Sequence, residues 1–150
     1  DIGTLFDLAE DMETVRSTFH EFAITEAKYR GLAISADDVL EDIYQTSLCI
    51  TTRGQDGKGD FSALLEGINK VRAYIFSEPY HIERAITDAA KAAYLSRLVK
   101  SNKDRIEKYA GTEQIRDIII EQPFNTKLNK LKKTHPEAFF CWYQACELMK

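Results

Sequence analysis

Apolar residues recur at intervals of three and four along almost the whole chain, and no segment keeps the strict alternation of a half-buried strand for long. That periodicity dictates α-helices, each with an apolar stripe that needs a partner. The predicted fold is therefore all-α, a compact multi-helix domain of about seven to nine helices. A chain of 150 residues suits a single domain and buries roughly two-thirds of the surface its unfolded form exposes. No stretch approaches the roughly 18 uninterrupted apolar residues of a membrane span, and the first residues lack the basic-then-apolar order of a signal peptide. Three cysteines, Cys49, Cys141 and Cys146, sit among apolar residues without a C-x-x-C pair, which reads as buried thiols in a reducing, cytoplasmic compartment. The chain opens on Asp1 rather than Met with helical patterning at once in Ile2, Leu5 and Phe6, so we read it as a fragment of a longer protein.

Helix boundaries follow from caps and breakers. Asp11 caps a helix with Met12, Val15, Phe19, Phe22 and Ala23 facing inward, stopped at Gly31. Ser35 and Asp38 make a capping-box start for a helix that buries Val39, Ile43 and Leu48. Between Thr51 and Asp60, three glycines and no large apolar residue predict a mobile loop. Asp60 caps the cleanest periodic segment, with Phe61, Leu64, Leu65, Ile68, Val71 and Ile75 on one face. Pro79 fits the first turn of the next helix, which buries Ile82, Ile86, Ala89, Ala90, Ala93 and Leu98. Ser101 with Asp104 predicts a short helix or a kinked continuation of the previous one to Tyr109, stopped at Gly111, and Thr112 caps a helix from Glu113 to about Glu121. The last helix carries an aromatic stripe of Phe139, Trp142 and Tyr143.

Charge is distributed unevenly. Residues 1–90 hold 8 Lys and Arg against 17 Asp and Glu, net −9, whereas residues 91–133 hold 11 against 5, net +6. The basic part contains Arg97, Lys100, Lys103, Arg105 and Lys108, then Lys127, Lys130, Lys132 and Lys133, with Tyr109, Phe124 and Tyr143 interleaved. Such a pattern binds phosphate backbones, with the four later lysines as the nucleic-acid candidates, or is a solvated face or the mate of an intramolecular partner. Catalytic and metal motifs find little support. Gly57-Lys58 departs from a phosphate loop, because Gly54 is too near and Gly59 stands where Ser or Thr would hold magnesium. Asp56 to Asp60 lacks the ligand spacing of a calcium loop. Glu78-x-x-His81 is a single copy of a spacing that di-iron sites need twice, and His20 and His135 have no ligand partners in sequence, so no metal is expected.

The opening Asp-Ile-Gly-Thr-Leu-Phe-Asp, then Val-Arg-Ser-Thr-Phe, Glu-Ala-Lys-Tyr-Arg-Gly and Val-Leu-Glu-Asp-Ile-Tyr-Gln-Thr-Ser-Leu-Cys-Ile, resembles the C-terminal helical part of AbiEii-like nucleotidyltransferase toxins. The similarity is strongest over about residues 1–98. The resemblance implies a bacterial toxin–antitoxin setting and a missing N-terminal catalytic domain that holds magnesium and a nucleoside triphosphate. It also implies RNA and an antitoxin as partners. This chain alone would be inactive and bind no cofactor. Asp1 and Asp7 are then candidates for the remnant of an Asp-x-x-Asp motif at the domain junction, although their spacing departs from it and either carboxylate equally suits a helix start. The competing expectation is a non-enzymatic protein-interaction module that uses the aromatic stripe of the last helix as its surface.

Overall fold

The computed structural model describes residues 2–75, 79–101 and 103–150. Among these, seven α-helices form the fold: α1 (Ile2–Leu8), α2 (Met12–Tyr29), α3 (Ala36–Thr51), α4 (Phe61–Val71), α5 (Ile82–Ser101), α6 (Leu131–Thr134) and α7 (Pro136–Glu147). Three 3-10 turns, Arg72–Tyr74, Thr112–Ile115 and Thr126–Lys130, join them, and no strand occurs among the described residues. No helix there is long and apolar enough to cross a membrane.

The axis is α5, which packs against α3, α7 and α1. Its buried Ala85, Ala89, Ala90 and Ala93 let those neighbours approach closely. From α7 come Phe139, Phe140 and Trp142, and Trp142 is 0% exposed. Its indole Nε1 donates to Thr51 Oγ1 at 3.1 Å, and Tyr44 meets it edge-on at 5.4 Å between ring centroids. The aromatic stripe is therefore core, and the interaction surface expected on the last helix is not there.

Local chemistry sets the helix starts as expected for Asp11, Ser35 with Asp38, and Asp60, each of which accepts backbone N–H bonds from the first turn of its helix. The helix faces differ more. In α3 the buried residues are Leu40, Tyr44, Ser47, Cys49 and Thr51, while Val39, Ile43 and Leu48 are only partly covered. In α2 Phe22 faces outward, and in α4 only Ile68 is fully covered. Pro79 lies ahead of α5, which begins at Ile82.

Two expected helices are absent. Residues 103–110 form a non-helical strap held at Lys103 and Glu107 by distant side chains. Arg16 donates to Lys103 O at 2.9 Å and pairs with Asp104 at 3.4 Å, so the carboxylate meant to close a capping box is taken. Tyr94 Oη accepts from Glu107 N at 3.1 Å. Beyond the 3-10 turn Thr112–Ile115, the Asn129 amide accepts from Ile120 N and donates to Ile120 O, both at 2.8 Å, replacing helical bonds with a strand-like pair.

Two buried cations fix α5 to its neighbours. Lys91 Nζ, in a side chain 3% exposed, donates to both Asp7 carboxylate oxygens at 2.8 Å and lies 2.9 Å from Glu137. Burial pushes its pKa down, but the hydrogen bonds to Asp7 and Glu137 outweigh that and raise it above its ordinary value. A raised cation pKa stabilises the fold below the unfolded value of 10.5 and ceases to do so only as pH climbs through the folded value. Arg97 pairs with Glu41 at 2.9 Å and stacks 3.8 Å from the Tyr44 ring centroid.

Neutralising both partners, Asp7→Asn with Glu137→Gln, strands a buried ammonium and is expected to cost about 3 kcal/mol. Lys91→Met is expected to cost less, because side chains 50% and 38% exposed turn their carboxylates to water. Urea unfolding midpoints at constant slope check the order. The reverse order would refute the ion pair as the joint between α1, α5 and α7.

Candidate nucleic-acid interface

The loop after α3 is hooked back onto the helix rather than left free. Gly54 N donates to Cys49 O at 2.8 Å, Lys58 N to Gln45 O at 3.2 Å, and Thr52 Oγ1 accepts from Asp56 N at 3.0 Å. Gly57 has φ +84°, and a Cβ there would stand 2.4 Å from Gln45 O and 2.6 Å from Cys49 N. The glycine is needed for that close approach and not for a phosphate. Arg53, at φ 53°, occupies the left-handed region that non-glycine residues seldom adopt. Its guanidinium extends to Glu83 on α5 at 2.6 Å.

Folding brings this loop beside the lysine segment. Asn125 caps the 3-10 turn Thr126–Lys130 by accepting from Lys127 N, and Lys127 Nζ reaches Asp56 at 2.9 Å across 71 residues of sequence. Thr52, Arg53 and Gln55 on one side and Lys127 and Lys130 on the other enclose a cleft of about 180 Å³. Thr51, Arg53 and Leu131 continue it into a wider depression of about 650 Å³, floored by Ile86 and closed by Glu83, Thr134 and His135. Glu83 accepts from Arg53 and lies 2.7 Å from His135 Nε2. Hydrogen bonding by Arg53, and then by His135, holds the Glu83 carboxyl below its ordinary pKa against the effect of burial. Lys127 does the same for Asp56.

The four lysines predicted to meet nucleic acid are thus divided. Lys127 and Lys130 line the cleft, and the exposed Lys133 follows on α6. Lys130 and Lys133 have no acidic partner among the described residues. Lys132 turns away, donating to Arg116 O at 2.6 Å and Ile118 O at 3.0 Å over the Phe139 ring. The earlier cations do not join them. Arg97 is in the core, Lys100 pairs with Asp37, Arg105 with Glu107, and Lys108 Nζ donates to Asp7 O. Tyr109, Phe124 and Tyr143 pack against the core, and no Phe, Tyr or Trp ring lines the cleft among the described residues. Arg53 carries no signal in the sequence and His135 shows no partner there, because their shared contact with Glu83 joins a loop and a helix start far apart in the chain.

The carboxylate of Asp7 is engaged by Lys91, while Asp1 and the Glu78 of Glu-x-x-His lie outside the described residues. His81 is exposed just ahead of α5. Among the described residues no group of three or more His, Cys, Asp and Glu is arranged to hold a metal. The three thiols are buried and unpaired, and burial raises the pKa of each, that of Cys146 to about 11.

Gly57→Ala tests whether the loop is held by its contact with α3. The added Cβ has to displace backbone atoms and adopt a positive φ, so a loss of about 1–3 kcal/mol is expected by thermal unfolding. Gly31→Ala, where φ is also positive at +66° but a Cβ meets nothing within 4 Å, is the matched comparison, and equal effects would show the loop to be unattached. The chain matches no family model, no curated protein and no solved structure.

Proposed function

We propose that this chain is the helical accessory domain of a nucleotidyltransferase of the AbiEii kind, and that its cleft holds the phosphates of RNA or a nucleotide. Transfer is then the work of a separate N-terminal domain that binds magnesium and the nucleoside triphosphate, and this chain contributes position and charge. On this reading it works in the bacterial cytoplasm. The resemblance over residues 1–98 motivates the catalytic partner. The observation that carries the binding role is the convergence of Arg53 with Lys127 and Lys130 on one open cleft.

The acids in the cleft do not disqualify it. Side chains of Arg53 and Glu83 are 50% and 47% exposed, and that of Lys127 is 53% exposed. Exposed pairs of this kind are worth about 1 kcal/mol or less. A phosphate that releases condensed counterions competes with them, and the planar guanidinium of Arg53 matches two phosphate oxygens at once. With no Phe, Tyr or Trp ring in its lining among the described residues, the cleft favours the backbone over bases.

A fluorescein-labelled single-stranded RNA of mixed sequence checks this by anisotropy against the whole chain. Three phosphate contacts give a slope of log K on log salt of about −2. Reversing Lys127, Lys130 and Lys133 to Glu is expected to flatten that slope, with a poly-U and a mixed-sequence strand bound alike. An affinity unchanged by the three reversals would sink the binding role. Magnesium-dependent nucleotide transfer by a longer parent chain, absent from residues 1–150, tests the accessory role separately.

A further inference from the structure

Of the large apolar side chains exposed among the described residues, most lie in residues 2–74, including Leu5, Phe22, Tyr29, Leu32, Val71 and Tyr74. Leu5 and Leu32 among them stand beside a second, only partly covered stripe on α3, made of Val39, Asp42, Ile43, Thr46 and Ile50, of which Ile50 also packs against the core. This stripe floors three depressions. One, of about 450 Å³, lies against Ala27 and Leu32 of the α2 end, and a second, of about 430 Å³, against Ile68 and Ala85. The third, of about 160 Å³, lies against Leu5, Val15 and Phe19. Asp42 is common to the first two and Ile43 to the last two, so they adjoin one another along α3 as a segmented groove.

The groove's charge is one-sided. Among the described residues its lining holds Glu26, Asp38, Asp42 and Asp88 against one cation, Arg30, which is 3.4 Å from Glu26. Asp88 has Arg84 at 3.5 Å and Asp38 is occupied in its capping box, but Asp42 is exposed without an ionic partner among the described residues. From Val39 to Ile50 the floor runs roughly 17 Å at 1.5 Å per residue, about three helical turns.

We propose that this groove docks one amphipathic helix of a partner polypeptide, apolar where it meets Ile43 and Ile50 and bearing Lys or Arg over Asp38 and Asp42. An apolar trough of this length accepts anchors at i, i+3, i+4 and i+7. Its acidic rim selects a basic helix and disfavours nucleic acid. A second copy of the same face is disfavoured too, because it would set carboxylate against carboxylate.

The probe is a labelled 18-residue peptide with leucines at those spacings and lysines on its flanks, titrated against the whole chain. Saturable binding is expected, about tenfold weaker for a peptide with Glu in place of Lys and about tenfold weaker for Asp42→Lys with unchanged circular dichroism. Leu32→Glu, on the exposed wall, weakens binding without touching the core. Lys130→Glu, which impairs the basic cleft, leaves it unchanged and separates this proposal from RNA binding. Equal binding of both peptides, no binding, or indifference to Asp42→Lys would overturn it. So would concentration-dependent dimerisation abolished by Asp42→Lys, which assigns the groove to a second copy.

Discussion

Two buried cations on one helix hold this fold in register. A hydrophobic helix at the centre of a bundle tolerates rotation, since apolar contacts are non-directional. Lys91 and Arg97 are directional. Each loses hydration that only a carboxylate at hydrogen-bond distance offsets. Asp7 and Glu137 meet Lys91 from α1 and α7, and Glu41 meets Arg97 from α3. The three elements packed most closely on α5 are therefore each tied to it by a charge as well as by area.

That arrangement explains why the two parts of the chain are finished differently. From α5 onward most apolar residues are covered, and even the non-helical strap over 103–110 is stitched down by Arg16 and Tyr94. Helices α1, α2 and α4 touch the core with only a few residues, Phe6, Met12, Ala27 and Ile68 among them, and leave the rest open. The charge bias follows the same division. Net −9 accompanies the open apolar surface over residues 1–90, and net +6 accompanies the closed part over residues 91–133.

Where the physics was local, the sequence was readable. Asp11, Ser35 with Asp38, and Asp60 mark helix starts because each needs only N–H groups two or three residues away. Ser101 with Asp104 has the same spelling but no cap: Ser101 is the last residue of α5 and its hydroxyl donates to Leu98 O, while Asp104 pairs with Arg16, 88 residues distant in sequence. Periodicity alone placed Val39 and Ile43 in the core, yet α3 has two apolar stripes, and only α5 and α7 determine which one is inside. The cleft was half legible. Lys127 and Lys130 stood out as charges, whereas Arg53 looked like a loop residue until the turn at Gly54 and the hook at Gly57 carried it to them.

The ion pairs in the cleft bear on what such a site can recognise. A bare cluster of cations repels itself and collapses onto whatever anion arrives, while Asp56 and Glu83 hold Lys127 and Arg53 in place at little cost. A phosphate that replaces them meets side chains already oriented, so less side-chain freedom is lost on binding. The same acids set a threshold, since a ligand has to displace two carboxylates before it gains two cations. A single monoanion gains little from that exchange. On the proposed reading, a strand that placed successive phosphates at Arg53, Lys127 and Lys130, which has no acidic partner among the described residues, would gain from all three, and this favours a polyanion over an isolated ion.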